Sequence, residues 1–219
     1  MKVIISGATG MTGGIVLDHC LTSNEVSAVV SISRRKVDLD HPKLKQIIRD
    51  DFMNYDDIKA EFKDVDGVYY CQGVYTGAVS KELFKTITLD YVQAFASVLK
   101  NESPEAFFSF LSGAGADLTE KSRTPFAKYK GMAENILMSL FDKLYIFRPG
   151  YIYPVTPRKE PNLMYSVSRW LYPVIRLFGE KASIKSTELA YAMYLSGIKA
   201  SSKTVLENID ILNFIRTGQ

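Results

Sequence analysis

A chain of 219 residues, 47% hydrophobic and 23% charged, is long enough to bury the core of one α/β domain and too apolar to be disordered. Its net charge of +3, from 27 basic and 24 acidic residues, is too small to argue for nucleic acid as a partner. Cys20 and Cys71 are too few for a disulfide framework and read as reduced core residues, and with only His19 and His41 beside them no metal site is expected.

Residues 2–6 (KVIIS) are an apolar run ending at Gly7, the pattern of a short buried strand. The run is too short for a signal h-region. No stretch approaches the roughly 18 apolar residues needed to span a bilayer. A cytoplasmic location without a transmembrane segment is therefore the expectation. The next residues, Gly7-Ala8-Thr9-Gly10-Met11-Thr12-Gly13, have the spacing GxxGxxG and open a helix over Met11 to Leu21. Glycine serves where a backbone turns sharply, approaches a pyrophosphate or lets a helix pack on a strand. The helix start offers unpaired amides and a positive dipole end to phosphates. The position directly after a strand turns a weak motif into a dinucleotide-binding reading, with Gly7, Thr9, Gly10, Met11, Thr12 and Gly13 as contacts.

The second strand, 27–32, ends in Ser33-Arg34-Arg35-Lys36. An acidic residue here would take the ribose hydroxyls of NAD; arginine suits a 2′-phosphate, so NADP(H) is expected before NAD(H). A third strand at 45–49 leads to Asp51 and Phe52, expected beside the adenine. Asp56 to Phe62 reads as helix and 65–71 as the fourth strand. Residues 80–100 read as one long helix striped by Leu83, Phe84, Ile87, Tyr91, Phe95, Val98 and Leu99. Strand five (106–111) runs into Ser112-Gly113-Ala114-Gly115. A helix follows from Pro125 to Phe141, then strand six (144–148), stopped by Pro149-Gly150. Strand and helix alternate with short links, which predicts a Rossmann-type doubly wound parallel sheet of about seven strands with helices on both faces, in one domain over 1–219. In the last third, Pro173 must divide any helix over 163–178. Ser186 or Thr187 can cap a helix to about Gly197, and 204–212 can supply a closing strand.

In this order GATGMTG (7–13), SRRK (33–36), DYV (90–92), LSGAGAD (111–117), KGMAE (130–134) and FRPG (147–150) resemble the atypical short-chain dehydrogenase/reductase family, closest to the Tat-interacting oxidoreductase-like NAD(P)-binding proteins. The resemblance spans most of the chain to residue 150. It implies NADP(H) across the carboxyl ends of the strands, lined by Cys71, Gln72 and Gly73. It also implies Ser112 as the family's serine, Lys130 as the lysine of its YxxxK motif, and Pro149 and Gly150 over the nicotinamide side. The tyrosine of that motif, which donates the proton to a carbonyl in the family, falls on Phe126, and a phenyl ring has no proton to give. Tyr129 does not replace it by spacing, because residue 133 is alanine.

Three readings stay open: Tyr129 swings into the site, Ser112 with a water supplies the proton, or the protein binds NADP(H) without reducing a carbonyl. The function expected is an NADP(H)-dependent oxidoreductase acting on a small molecule, or else a non-catalytic NADP(H)-binding regulator or redox sensor. Residues 151–185 carry Tyr151, Tyr153, Tyr165, Trp170, Tyr172 and Phe178 among Arg158, Lys159, Arg169, Arg176, Lys181 and Lys185. This segment either faces a small-molecule substrate or a protein partner, or covers the sheet edge with its bases in water. A homodimer is compatible with the sequence.

Overall fold

Strand β1 (Lys2–Ser6) is apolar on both sides because both sides are covered, and the same holds along the sheet. The computed structural model describes residues 1–156 and 182–217. In it β1 pairs in parallel with β2 (Ala28–Ser33) on one side and β4 (Gly67–Tyr70) on the other. With β3 (Leu44–Ile48), β5 (Phe107–Leu111), β6 (Leu144–Arg148) and β9 (Val205–Glu207) these form a seven-stranded, all-parallel sheet in the order β3-β2-β1-β4-β5-β6-β9. A separate two-stranded parallel ribbon joins β7 (Tyr151–Tyr153) to β8 (Ser183–Lys185).

Successive residues of each central strand alternate between two apolar clusters, the period of two expected of a pleated sheet. On one face Val3, Ile5, Tyr69, Phe107 and Phe147 meet helix α1 (Met11–Thr22), α5 (Ser186–Ile198) and α6 (Asn208–Thr217). On the other, Ile4, Val68, Tyr70, Phe108 and Ile146 meet α3 (Tyr91–Glu102) and α4 (Pro125–Leu140). The Phe107 ring lies where a Cβ on Gly67 or Gly197 would stand, 2.1 Å and 2.5 Å from its nearest carbons, so two glycines make room for one aromatic.

Four expectations change in detail. Residues 56–62 form a 3₁₀ helix kinked at Ile58 rather than an α-helix. The long helix over 80–100 divides into α2 (Lys81–Lys85), a π-helical turn (Thr86–Asp90) and α3. The extra residue of a π turn rotates the apolar stripe, which leaves Leu83 exposed and buries Thr88 and Leu89 instead. Helix α5 is capped by Glu188, whose carboxylate accepts from Lys185 N–H at 3.0 Å, while the Ser186 hydroxyl accepts from Val155 N–H. The closing strand is three residues long; from Asn208 the chain turns into α6, because its apolar residues fall at helical spacing. The predicted helix over 163–178 and its break at Pro173 lie outside the described residues.

Candidate functional site

The strand order reverses direction between β1 and β4, so the loops after these two strands part to opposite faces and leave a crevice at their carboxyl ends. The glycine loop fills its floor. Gly7 has φ +87, a left-handed conformation, and a Cβ there would stand 2.8 Å from the backbone of Cys71 and Gln72. Gly10 donates its N–H to Gly7 O at 2.9 Å, closing the turn. A Cβ on Gly13 would meet Gly7 O at 2.3 Å, so α1 can begin against its own loop only with glycine at that position. No side chain caps α1, and its first turn has no acidic residue. The helix start is thus an amide-rich, positive end opening into the crevice, which fits a pyrophosphate in charge and shape.

Beside it, at the end of β2, the Ser33 hydroxyl donates to Arg35 O at 2.7 Å and fixes the turn. Arg34, Arg35 and Lys36 project from that turn into solvent. Asp51 is exposed, and its Oδ1 accepts from Met53 N–H at 2.7 Å. Phe52 is in the core, 2% exposed, with its ring 5.4 Å from that of Tyr91. The structure therefore groups the arginine pair near the glycine loop but turns Phe52 inward.

A cleft of about 460 Å³ opens over these strand ends. It is lined by Gly10 just before α1 and Met11 and Thr12 in its first turn, by Cys71, Gln72 and Gly73 after β4, and by Ser112 and Gly113 after β5. Phe126 and Lys130 of α4, Pro149 and Gly150 after β6, and the Tyr75 and Tyr151 phenols also line it. The predicted trio is split. Ser112 and Lys130 face the cleft, whereas Tyr129 is not among its lining residues and packs toward Phe84, with ring centroids 6.4 Å apart. The Phe126 ring rests on Gly113, where a Cβ would come within 2.5 Å of its Cζ. Residues 126 and 130 are one helical turn apart, so both reach the cleft from the same face of α4.

Lys130 is buried. Its Nζ donates to Leu111 O at 2.8 Å and stands 4.6 Å above the Phe110 ring. Burial pulls the amine down to about 8, against the opposing pull of Glu134. The neighbouring Cys71 thiol is pushed up to about 12 by burial, so it carries no thiolate at neutral pH.

Beneath the cleft lies a group that sequence reasoning missed. Glu134, fully buried, accepts the Ser112 hydroxyl and two nitrogens of Arg148, whose Nη1 also reaches Glu207 at 3.0 Å. Its signal was present in KGMAE, where Glu134 follows Lys130 by one helical turn, and in FRPG, which supplies Arg148. A second tie holds the rim. Gly150 N–H donates to the Asn208 side chain at 2.8 Å, and Asn208 Nδ2 donates to Ser183 O at 2.9 Å. Most of the basic, aromatic segment expected to face a substrate or partner (Arg158, Lys159, Tyr165, Arg169, Trp170, Tyr172, Arg176, Phe178 and Lys181) lies outside the described residues. Tyr151 lines the cleft. Among the described residues no helix is long and apolar enough to cross a membrane.

The model of the NAD dependent epimerase/dehydratase family matches residues 3–145. Protein HTATIP2 of Rattus norvegicus is 31% identical over 154 residues, which cover 69% of this chain and 62% of that protein, less than two thirds of its length. Protein fmp52-2, mitochondrial, of Aspergillus oryzae is 23% identical over 222 residues, 97% of this chain and 96% of that protein. Among solved structures, UDP-glucuronic acid 4-epimerase from Bacillus cereus in complex with NAD superposes with a TM-score of 0.70 at 15% identity, covering 94% of this chain and 78% of that one. Gre2 from Candida albicans in complex with NADPH gives a TM-score of 0.71 at 13% identity over 94% of this chain and 77% of that one. At such identities the likeness is one of fold.

Proposed function

Because the chain belongs to the NAD dependent epimerase/dehydratase family, we propose that it is an NADP(H)-dependent oxidoreductase that reduces a carbonyl group of a small molecule held in the cleft. One observation carries this reading: the uncapped, acid-free start of α1 opens onto a cleft whose far wall holds Lys130 and Ser112. The structures of the same fold in complex with NAD and with NADPH support a nicotinamide cofactor. When bound, the reduced nicotinamide would supply two electrons and a hydrogen to a substrate carbon. The protein's part is to bind, orient and manage a proton. The α1 amides would hold the diphosphate, Arg34 and Arg35 the 2′-phosphate, and Lys130 the ribose and reacting carbonyl. Among the described residues that line the cleft there is no carboxylate, and Val74, Phe84, Ile152 and Pro154 add apolar surface to it. A neutral or anionic, partly apolar carbonyl compound suits that lining.

Calorimetry with NADPH and NADH tests the cofactor. NADPH is expected to bind at least tenfold more tightly, about 1.4 kcal/mol or more. Equal affinities, or no loss in the double variant Arg34→Ala with Arg35→Ala, would remove the arginine assignment. Activity is read from NADPH consumption against a panel of aldehydes, ketones and quinones.

A second reading, a non-catalytic NADP(H)-binding regulator or redox sensor, is favoured by Phe126, which lines the cleft at the position where the family's motif has a tyrosine. Tight NADPH binding with no turnover on the panel, and turnover appearing in Phe126→Tyr, would select it. We keep the cytoplasm as the proposed location; the relative whose name includes "mitochondrial" makes cell fractionation the direct check.

A further inference from the structure

We propose that Lys130 is itself the proton donor to the reacting carbonyl, in the place a tyrosine would fill. This rests on the reductase reading above. Of the four residues weighed at or beside the motif positions, three are disqualified by their chemistry or their surroundings; the Tyr75 and Tyr151 phenols, which also line the cleft, are separated from Lys130 by the test below. Phe126 has no transferable hydrogen. Tyr129 is turned toward Phe84 and does not line the cleft. Ser112 does line it, but its hydroxyl hydrogen is committed to Glu134, which two nitrogens of Arg148 hold as an acceptor, so Ser112 offers the cleft only lone pairs. Lys130 remains. Its ammonium has three hydrogens, of which one goes to Leu111 O; it is the single cationic side chain lining the cleft among the described residues.

The chemistry of the amine agrees. Around it stand Glu134 on its own helix, Cys71 beyond β4, and the Tyr75 and Tyr151 phenols elsewhere in the cleft lining. Burial outweighs the carboxylate and leaves Lys130 near 8, close to the working pH at which a general acid is most effective. An ordinary lysine would hold its proton too tightly. In the step, the carbon gains two electrons and a hydrogen from the reduced nicotinamide, and the C=O π pair moves onto oxygen. An O–H bond forms as an Nζ–H bond of Lys130 breaks. The products are an alcohol, the oxidised nicotinamide and a neutral amine, which solvent then reprotonates. Ser112, with its lone pairs turned outward, can accept from the new hydroxyl and so orient it.

The test has one arm that needs no turnover. Carbon-13 NMR of the lysine-labelled, unliganded wild-type protein should show one amine, absent in Lys130→Met, titrating near pH 8; an amine at residue 130 that stays charged beyond pH 10 would overturn the proposal. In the second arm, Lys130→Arg keeps the charge but cannot release a proton near neutrality. Carbonyl turnover should fall at least a hundredfold, with a much smaller loss of NADPH affinity, read by calorimetry, from the altered contact to the ribose. Wild-type kcat/KM should decline above pH 8, where the amine is neutral. Retention of more than a tenth of turnover by Lys130→Arg, or turnover lost in Tyr75→Phe or Tyr151→Phe while it survives in Lys130→Arg, would assign the proton elsewhere and leave the reductase reading standing. Wild-type protein that binds NADPH but reduces nothing on the panel would remove both.

Discussion

At the scale of single residues, the role proposed for Lys130 is set against stability. Its amine sits near 8 in the folded chain against an ordinary 10.5, so below pH 8 folding must bury a charge that the unfolded chain keeps in water. That penalty is roughly 3 kcal/mol, fully present below pH 8 and relieved as pH rises from 8 to 10.5. The expected outcome is that Lys130→Met is more stable than wild type at pH 7, and that the advantage is already shrinking by pH 9, as read from urea unfolding. The comparison must be a difference between the two proteins. Cys20 and Cys71, both pushed up to about 12, act in the opposite sense above pH 9; Cys20 cancels in the subtraction, whereas Cys71, which interacts with Lys130, cancels only in part, so the comparison is read below pH 9. Glu134 shows the other face of burial. Its charge is matched by Arg148 and its oxygens by hydrogen bonds, so Glu134→Gln leaves a guanidinium short of a partner. Urea unfolding of that variant should show a loss of roughly 3 kcal/mol.

At the scale of elements, the start of α1 is held by backbone contact. Gly13→Ala places a methyl 2.3 Å from Gly7 O, which belongs to main chain and cannot rotate away. A cost of about 1–3 kcal/mol is expected, with at least tenfold weaker NADPH binding by calorimetry. This element was fully legible in the sequence, because a strand, three spaced glycines and a helix are local signals. So were Phe126 and Lys130, whose spacing of one turn fixes their common face. The Ser112–Glu134–Arg148 group was not. A glutamate and an arginine in a helix and a strand look like solvated charges until the fold brings residues 112, 134 and 148 together. The π turn at Thr86–Asp90 and the early end of β9 also escaped, since each depends on what the segment packs against rather than on its own pattern. The inward turn of Phe52 has the same cause: its neighbour Tyr91 comes from a helix far along the chain.

At the scale of the whole molecule, two apolar faces share one sheet, and each is closed by helices from both halves of the sequence: α1 with α5 and α6, α3 with α4. The Tyr69 hydroxyl donates to Tyr194 O across 125 positions at 2.9 Å, and Phe107 is seated between Gly67 and Gly197. A chain tied in this way is expected to melt as one unit. Differential scanning calorimetry should give a single peak with matching van't Hoff and calorimetric enthalpies. Two resolved peaks would contradict the one-domain proposal.

Asn208 gives this arrangement a practical meaning. It stands at the first position of α6, yet its amide group clips Gly150, in the lining of the cleft, to Ser183. If the proposed activity holds, a random mutagenesis screen scored only on turnover would therefore recover hits near the carboxyl terminus and credit them to chemistry, when their origin is a lost clip nearly sixty positions from the loop it secures. Asn208→Ala, assayed for KM and for thermal midpoint together, would expose that misattribution.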